Sequence, residues 1–189
     1  MQTPSDVEIV RLSLVDSENF VLIVERYQAK LLRYIQRFSA LSLESAEDVL
    51  QETFIKAYRY LNDFDQELSF GSWIYRIAHN ETVNYLRRNK QQNVSLDMPD
   101  EEGKILADVL ADDFDLAEEI EKQDLGAEVR HILQNLSTDF REVLILRYLE
   151  QKSYQEISQI LKKPEGTVST LLNRAKVQFK MLVEKNNLN

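Results

Sequence analysis

The stretch Ser153–Phe179, SYQEISQILKKPEGTVSTLLNRAKVQF, decides how the chain is read. Tyr154, Ile157, Ile160 and Leu161 recur at the spacing of one helix face, and Pro164 ends that helix, because Pro and the residue before it both disfavour helical continuation. Val168, Leu172 and Ala175 resume the spacing, with Thr167 after Gly166 expected to cap or open the second helix. Two short helices across a tight turn form a helix-turn-helix, whose second helix enters the major groove of DNA. Thr167, Ser169, Thr170, Asn173, Arg174 and Lys176 then fall on or beside the outward face, and these residue types contact bases and phosphates. Two positions depart from the pattern. Lys162 holds the turn position where glycine is usual, at a cost on the order of 1 kcal/mol if φ is positive there. Leu171 falls at an expected exposed position where an Arg would suit DNA better. A plain helical hairpin is the alternative reading of this stretch taken alone.

Charge runs against a DNA reader at first sight, since the chain carries a formal net charge of -9 and DNA affinity comes largely from Lys and Arg on phosphates. Its distribution removes the conflict. Residues 94–124 hold 12 acidic and two basic residues, whereas residues 141–189 hold nine basic and five acidic ones. The hairpin lies in the basic quarter.

Composition excludes most chemistry. With no Cys there are no disulfides, thiolate metal sites or Cys nucleophiles. His79 and His131 are too far apart in sequence to read as a metal pair, and four scattered Gly make no phosphate loop. No metal, cofactor, catalytic residue or small-molecule substrate is expected. The longest apolar runs fall far short of the roughly 20 residues a bilayer span needs, and the first residues, MQTPSDVEIV, lack a signal-peptide pattern. The expected location is the cytoplasm, without membrane insertion.

Outward from the hairpin, the chain reads as all-α: two small helical domains joined by an acidic flexible linker. The expected bounds are 1–92, 93–112 and 113–189. From Ser17 to Asn89 apolar residues recur at helical spacing, as in Val21, Val24, Leu31, Leu32, Ile35 and Phe38. Ser42 and Ser45 are candidate N-caps before AEDVLQETFIKAYRYL, whose Val49, Phe54, Ile55 and Tyr58 form an expected apolar stripe. NDFDQELS interrupts with turn formers. FGSWIYRIAHNETVNYLRR follows with Phe70, Trp73, Ile74 and Ile77 on one face, and Trp73 reads as core in preference to a base-stacking residue. Tyr75, Arg76, His79 and Asn80 lie off that face. Asn can pair with an adenine edge, and Arg76, Arg87 and Arg88 can bind phosphate; Arg87, Arg88 and Lys90 could instead complement a helix end, but DNA is the favoured reading of this basic cluster. Residues 90–112 have linker composition. Helical spacing returns at Asp115, with Leu116, Ile120, Ala127, Ile132, Leu133 and Leu136, and again in DFREVLILRYLEQ.

The two halves together resemble a known family. AEDVLQETFIKAYRYLNDFDQELSFGSWIYRIAHNETVNYLRR is similar to region 2 of bacterial sigma factors of the extracytoplasmic-function class, and LSTDFREVLILRYLEQKSYQEISQILKKPEGTVSTLLNRAKVQF to their region 4. The resemblance implies a transcription initiation factor that binds core RNA polymerase and promoter DNA, assists promoter melting and answers to an anti-sigma factor. It places Asp48, Gln51, Glu52 and Lys56 on the polymerase, although for each a solvated helix face is the plainer reading. It also puts the loop beginning Asn62, Asp63 and Phe64, with the following helix, on the minus-ten element, and the C-terminal hairpin on the minus-thirty-five element. Two other readings stand beside it: a stand-alone helix-turn-helix regulator, and a degenerate sigma paralogue acting only through proteins. An enzyme comes last.

Overall fold

A computed structural model describes residues 4–65, 68–92 and 127–187, and every element in them is helical. The acidic residues 94–124, the proposed linker and the pattern from Asp115 to Ile120 lie outside the described residues.

Helix α1 (Asp6–Val15) opens with a capping box, in which Ser5 and Glu8 satisfy each other's backbone N–H groups. The periodicity that starts at Ser17 misses it, because α1 buries only Ile9, Val10 and Ser13 and leaves Leu12, Leu14 and Val15 in solvent. Asp6 fastens it to α2 (Val21–Ser39) by accepting from Arg26 Nη1 and from the Tyr27 hydroxyl, both at 2.6 Å. The buried row of α2 is Ile23, Tyr27, Leu31, Tyr34, Ile35 and Phe38. Val21 falls outside it and is exposed.

Helix α3 (Leu43–Arg59) is capped by Ser42, whose Oγ accepts from Ser45 N–H, so Ser45 lies inside the helix. Its inward row is Ala46, Val49, Thr53 and Ala57. The expected stripe is corrected here: Ile55 and Tyr58 are exposed, because positions 46, 49, 53 and 57 share a face at helical spacing and Ile55 lies opposite. A 3-10 turn, Leu61–Asp63, leads through Phe64 to α4 (Phe70–Gln92). On α4 the fully sealed row runs through Ile74, Ala78 and Thr82, with Ile77 only half-buried. Phe64, Phe70 and Trp73 form a compact aromatic cluster with ring centroids 5.2 to 5.4 Å apart, which confirms Trp73 as core.

The C-terminal half comprises α5 (Ala127–Gln134), α6 (Thr138–Leu144) with a π-helical turn Ile145–Leu149, α7 (Tyr154–Leu161) and α8 (Glu165–Asn187). Arg141 on α6 closes the end of α5. Its guanidinium donates to the carbonyls of Leu133 (2.9 Å) and Gln134 (3.0 Å) in the last turn of that helix and to Leu136 (3.2 Å) just beyond it, where helical N–H donors run out. A further bond from its Nη1 reaches Phe38 O at 3.1 Å, at the end of α2. The two halves therefore share one contact surface.

Candidate nucleic-acid interface

The hairpin is a helix-turn-helix built as the spacing predicts. Helix α7 starts with a second capping box, Ser153 with Glu156, and ends at Lys162, whose φ of 53° is left-handed. A lysine thus holds the strained turn, supported by a 2.6 Å bond from Ser158 Oγ to Lys163 O. Helix α8 begins at Glu165 and not at Thr167. Pro164 presets the helical φ, and its carbonyl already accepts from Thr167 and Val168. Val168, Leu172 and Ala175 are fully buried. Thr167, Thr170, Asn173 and Arg174 are exposed, although the Thr170 hydroxyl is committed to Gly166 O at 2.9 Å. Ser169 is half-buried, and Lys176 is also half-buried, with its ammonium 5.6 Å from the Tyr148 ring. Leu171 corrects the expectation of full exposure, since it packs part-buried against the core.

Of the residues assigned to polymerase, Asp48, Gln51 and Glu52 stand on the outward face of α3 beside exposed Ile55. Lys56 does not. Its Nζ lies 2.7 Å from Glu81 Oε2, so it ties α3 to α4.

The minus-ten set divides. Asn62 and Asp63 are exposed in the turn after α3, whereas Phe64 is 6% exposed inside the aromatic cluster. Along α4, Arg76, Asn80, Arg87 and Arg88 recur at helical spacing, and the last three are exposed. Tyr75 and His79 face the other half. Tyr75 is 2% exposed and donates to Glu150 Oε2 at 2.7 Å, while Arg37 donates to Glu150 Oε1 at 3.0 Å. His79 Nδ1 meets Glu142 Oε1, which also accepts from the Tyr34 hydroxyl at 2.9 Å. Burial, then Glu142, pushes the Tyr34 hydroxyl well above its ordinary pKa; burial, then Glu150, does the same for Tyr75. In this arrangement Tyr75 and His79 are closed to DNA by the C-terminal half, contrary to the expectation that they face outward.

Sequence reasoning did not single out Glu142, Glu150 or Arg141. A Glu inside the apolar run of DFREVLILRYLEQ was the available signal, because a carboxylate on an inward row needs a partner.

Comparison with known proteins decides what these surfaces belong to. Sigma-70 region 2 matches residues 23–92 and Sigma-70, region 4 matches residues 126–179. The chain is 35% identical to the RNA polymerase sigma-H factor of Pseudomonas aeruginosa over 89% of its own length and 88% of that protein's. The chain belongs to the extracytoplasmic-function class of RNA polymerase sigma factors. This sigma factor is 34% identical to the ECF sigma-E factor of Haemophilus influenzae, with 89% of each chain covered, and 31% identical to SigW of Bacillus subtilis, with 85% and 87% covered. Its fold is that of CnrH, solved in complex with the cytosolic domain of CnrY, at a TM-score of 0.69 and 23% identity over 95% of this chain and 97% of that one. As a sigma factor it is a promoter-directing transcription initiation factor and not an enzyme. Its partners are core RNA polymerase and promoter DNA. Helix α1 lies outside the matched segments, and no helix among the described residues is long and apolar enough to cross a membrane.

Proposed function

We propose that this sigma factor docks on core polymerase through the outward face of α3, with Asp48, Gln51 and Glu52 as polar contacts and Ile55 as the apolar one. Region 2 occupies residues 1–92, an acidic linker residues 93–112 and region 4 residues 113–189. Asn62 and Asp63 border the site that captures an unstacked minus-ten base, and Phe64 holds that turn on the core. Arg76, Asn80, Arg87 and Arg88 follow the strand along α4. Thr167, Ser169, Thr170, Asn173, Arg174 and Lys176 meet the minus-thirty-five element. Melting here is binding energy: contacts of about 1–3 kcal/mol per stacked base offset the few kcal/mol that flipping costs. Tyr75 and His79 join the DNA surface only after region 4 leaves α4.

The observation that carries this reading is the row Asn80, Arg87 and Arg88, exposed on a helix whose opposite side is sealed against the core. The factor works in the cytoplasm and answers to an anti-sigma factor. A solved relative in fold, RpoE of Bartonella quintana, is held by the anti-sigma factor NepR, at a TM-score of 0.65 and 20% identity over 88% of this chain and 98% of that one. Reconstituted transcription with core polymerase on genomic fragments tests the assignment. Arg87→Ala with Arg88→Ala should cut open-complex formation at least tenfold while core binding persists. Loss of core binding instead refutes the DNA role.

A further inference from the structure

Of the six residues on α8 assigned to the minus-thirty-five element, only Arg174 and Lys176 are cations. Attraction to phosphates supplies much of a protein's affinity for DNA, so in a reader this sparsely charged the state of each cation matters. The two are held differently. Arg174 is exposed, whereas Lys176 is half-buried and its ammonium lies 5.6 Å from the centre of the Tyr148 ring. Tyr148 belongs to the π-helical turn Ile145–Leu149, in which Ile145 and Leu146 are fully buried. Its ring is itself packed against the core, so Lys176 meets a fixed support.

A ring does for this lysine what a carboxylate could not. Lys56, Lys152 and Lys163 each lie within ion-pair distance of a carboxylate, at 2.7, 3.6 and 3.7 Å. Such a pair offsets the charge that a phosphate needs, and has to be broken or shared when DNA arrives. No carboxylate lies within that distance of Lys176 among the described residues. The face of an aromatic ring attracts an ammonium through its quadrupole and leaves the full positive charge for a second partner. A lysine stem free in solvent loses rotamer freedom when its ammonium is fixed on a phosphate, and a stem already narrowed by a ring loses less.

We infer that Tyr148 is a positioning residue for the minus-thirty-five element: it holds Lys176 ready for a DNA phosphate without touching DNA itself. That role rests on the reading of Lys176 as a minus-thirty-five contact.

Holoenzyme reconstituted from core polymerase and the full chain is titrated, at several salt concentrations, onto a fluorescent promoter fragment recovered by genomic-fragment transcription. Lys176→Gln should weaken binding about fivefold and make the fall of log affinity with log salt shallower by about 0.9, as one lost phosphate contact does. Tyr148→Leu should weaken binding about threefold with the salt slope kept, because the phosphate contact survives and only its preorganisation is lost. Tyr148→Phe keeps the ring and should bind as the unsubstituted chain does. Added to Lys176→Gln, Tyr148→Leu should have no further effect, since there is no ammonium left to position. No loss in Tyr148→Leu, an equal loss in Tyr148→Phe, or a loss that persists beside Lys176→Gln overturns the role of Tyr148 and leaves Lys176 as a DNA contact. Unchanged affinity and slope in Lys176→Gln overturn the minus-thirty-five reading of Lys176, and the role of Tyr148 falls with it.

Discussion

Replacing Glu142 with Leu tests what holds region 4 on region 2. Glu142 is 3% exposed and is the shared acceptor for Tyr34 and His79, which come from α2 and α4. In the variant, Tyr34, at 0% exposure, keeps a hydroxyl with nothing to receive it, a penalty of about 1–3 kcal/mol. The contact of His79 across the halves is gone as well. Removing one member of a buried ion pair generally costs about 3–5 kcal/mol, and the partial exposure of the His79 side chain, 20%, places this case at the lower end, near 3 kcal/mol. That is roughly a hundredfold shift toward separation of the halves, at about 1.4 kcal/mol per factor of ten. Urea unfolding followed by Trp73 emission measures the loss, and small-angle scattering measures the opening. Tyr34→Phe added to Glu142→Leu removes the stranded hydroxyl and should restore about 1 kcal/mol or more. A loss under about 1 kcal/mol, or no restoration by Tyr34→Phe, refutes the reasoning.

Lys162→Gly should stabilise the chain by about 1 kcal/mol in thermal unfolding, since φ of 53° is free for glycine and strained for lysine. No gain would mean that Lys162 offsets the strain through its side chain. Stability should also fall at both ends of the pH range, as a urea titration against pH would show. Tyr27, Tyr34 and Tyr75 are raised in the fold, first by burial, so their contribution is complete below an unfolded tyrosine pKa of about 10 and is lost as pH rises beyond it. For Glu156, burial acts upward but the Ser153 and Lys152 bonds outweigh it and leave the carboxyl lowered. Its contribution is present above about 4.3 and is lost as pH falls through the folded value. Ser153→Ala should flatten the acid limb.

How far the site was legible followed from how local each signal was. The helix-turn-helix could be read because its turn, caps and inward row sit within 27 residues and each has its own chemistry. The exposure of Asn80, Arg87 and Arg88 could be read too, since exposed polar residues on a long helix follow from spacing alone. The burial of Phe64 could not, because an aromatic after a turn is equally free in sequence to stay exposed or to fold back, and only its approach to Phe70 and Trp73 shows which. The ion pair of Lys56 was hidden for a related reason: its partner Glu81 lies on another helix.

The amino-acid sequence by itself determined the all-helical class, the two halves in their order, the acidic segment between them and the reader hairpin, since periodicity, capping and charge distribution are properties of neighbours along the chain. The tertiary structure alone decided which of the two surfaces of α4 is available. Tyr75 and His79 are polar side chains of the kind that reads DNA, and they are closed off because Glu142 and Glu150, more than 60 residues away, supply buried acceptors for them. Pairing of that kind depends on where two helices meet in space, and no local pattern encodes it.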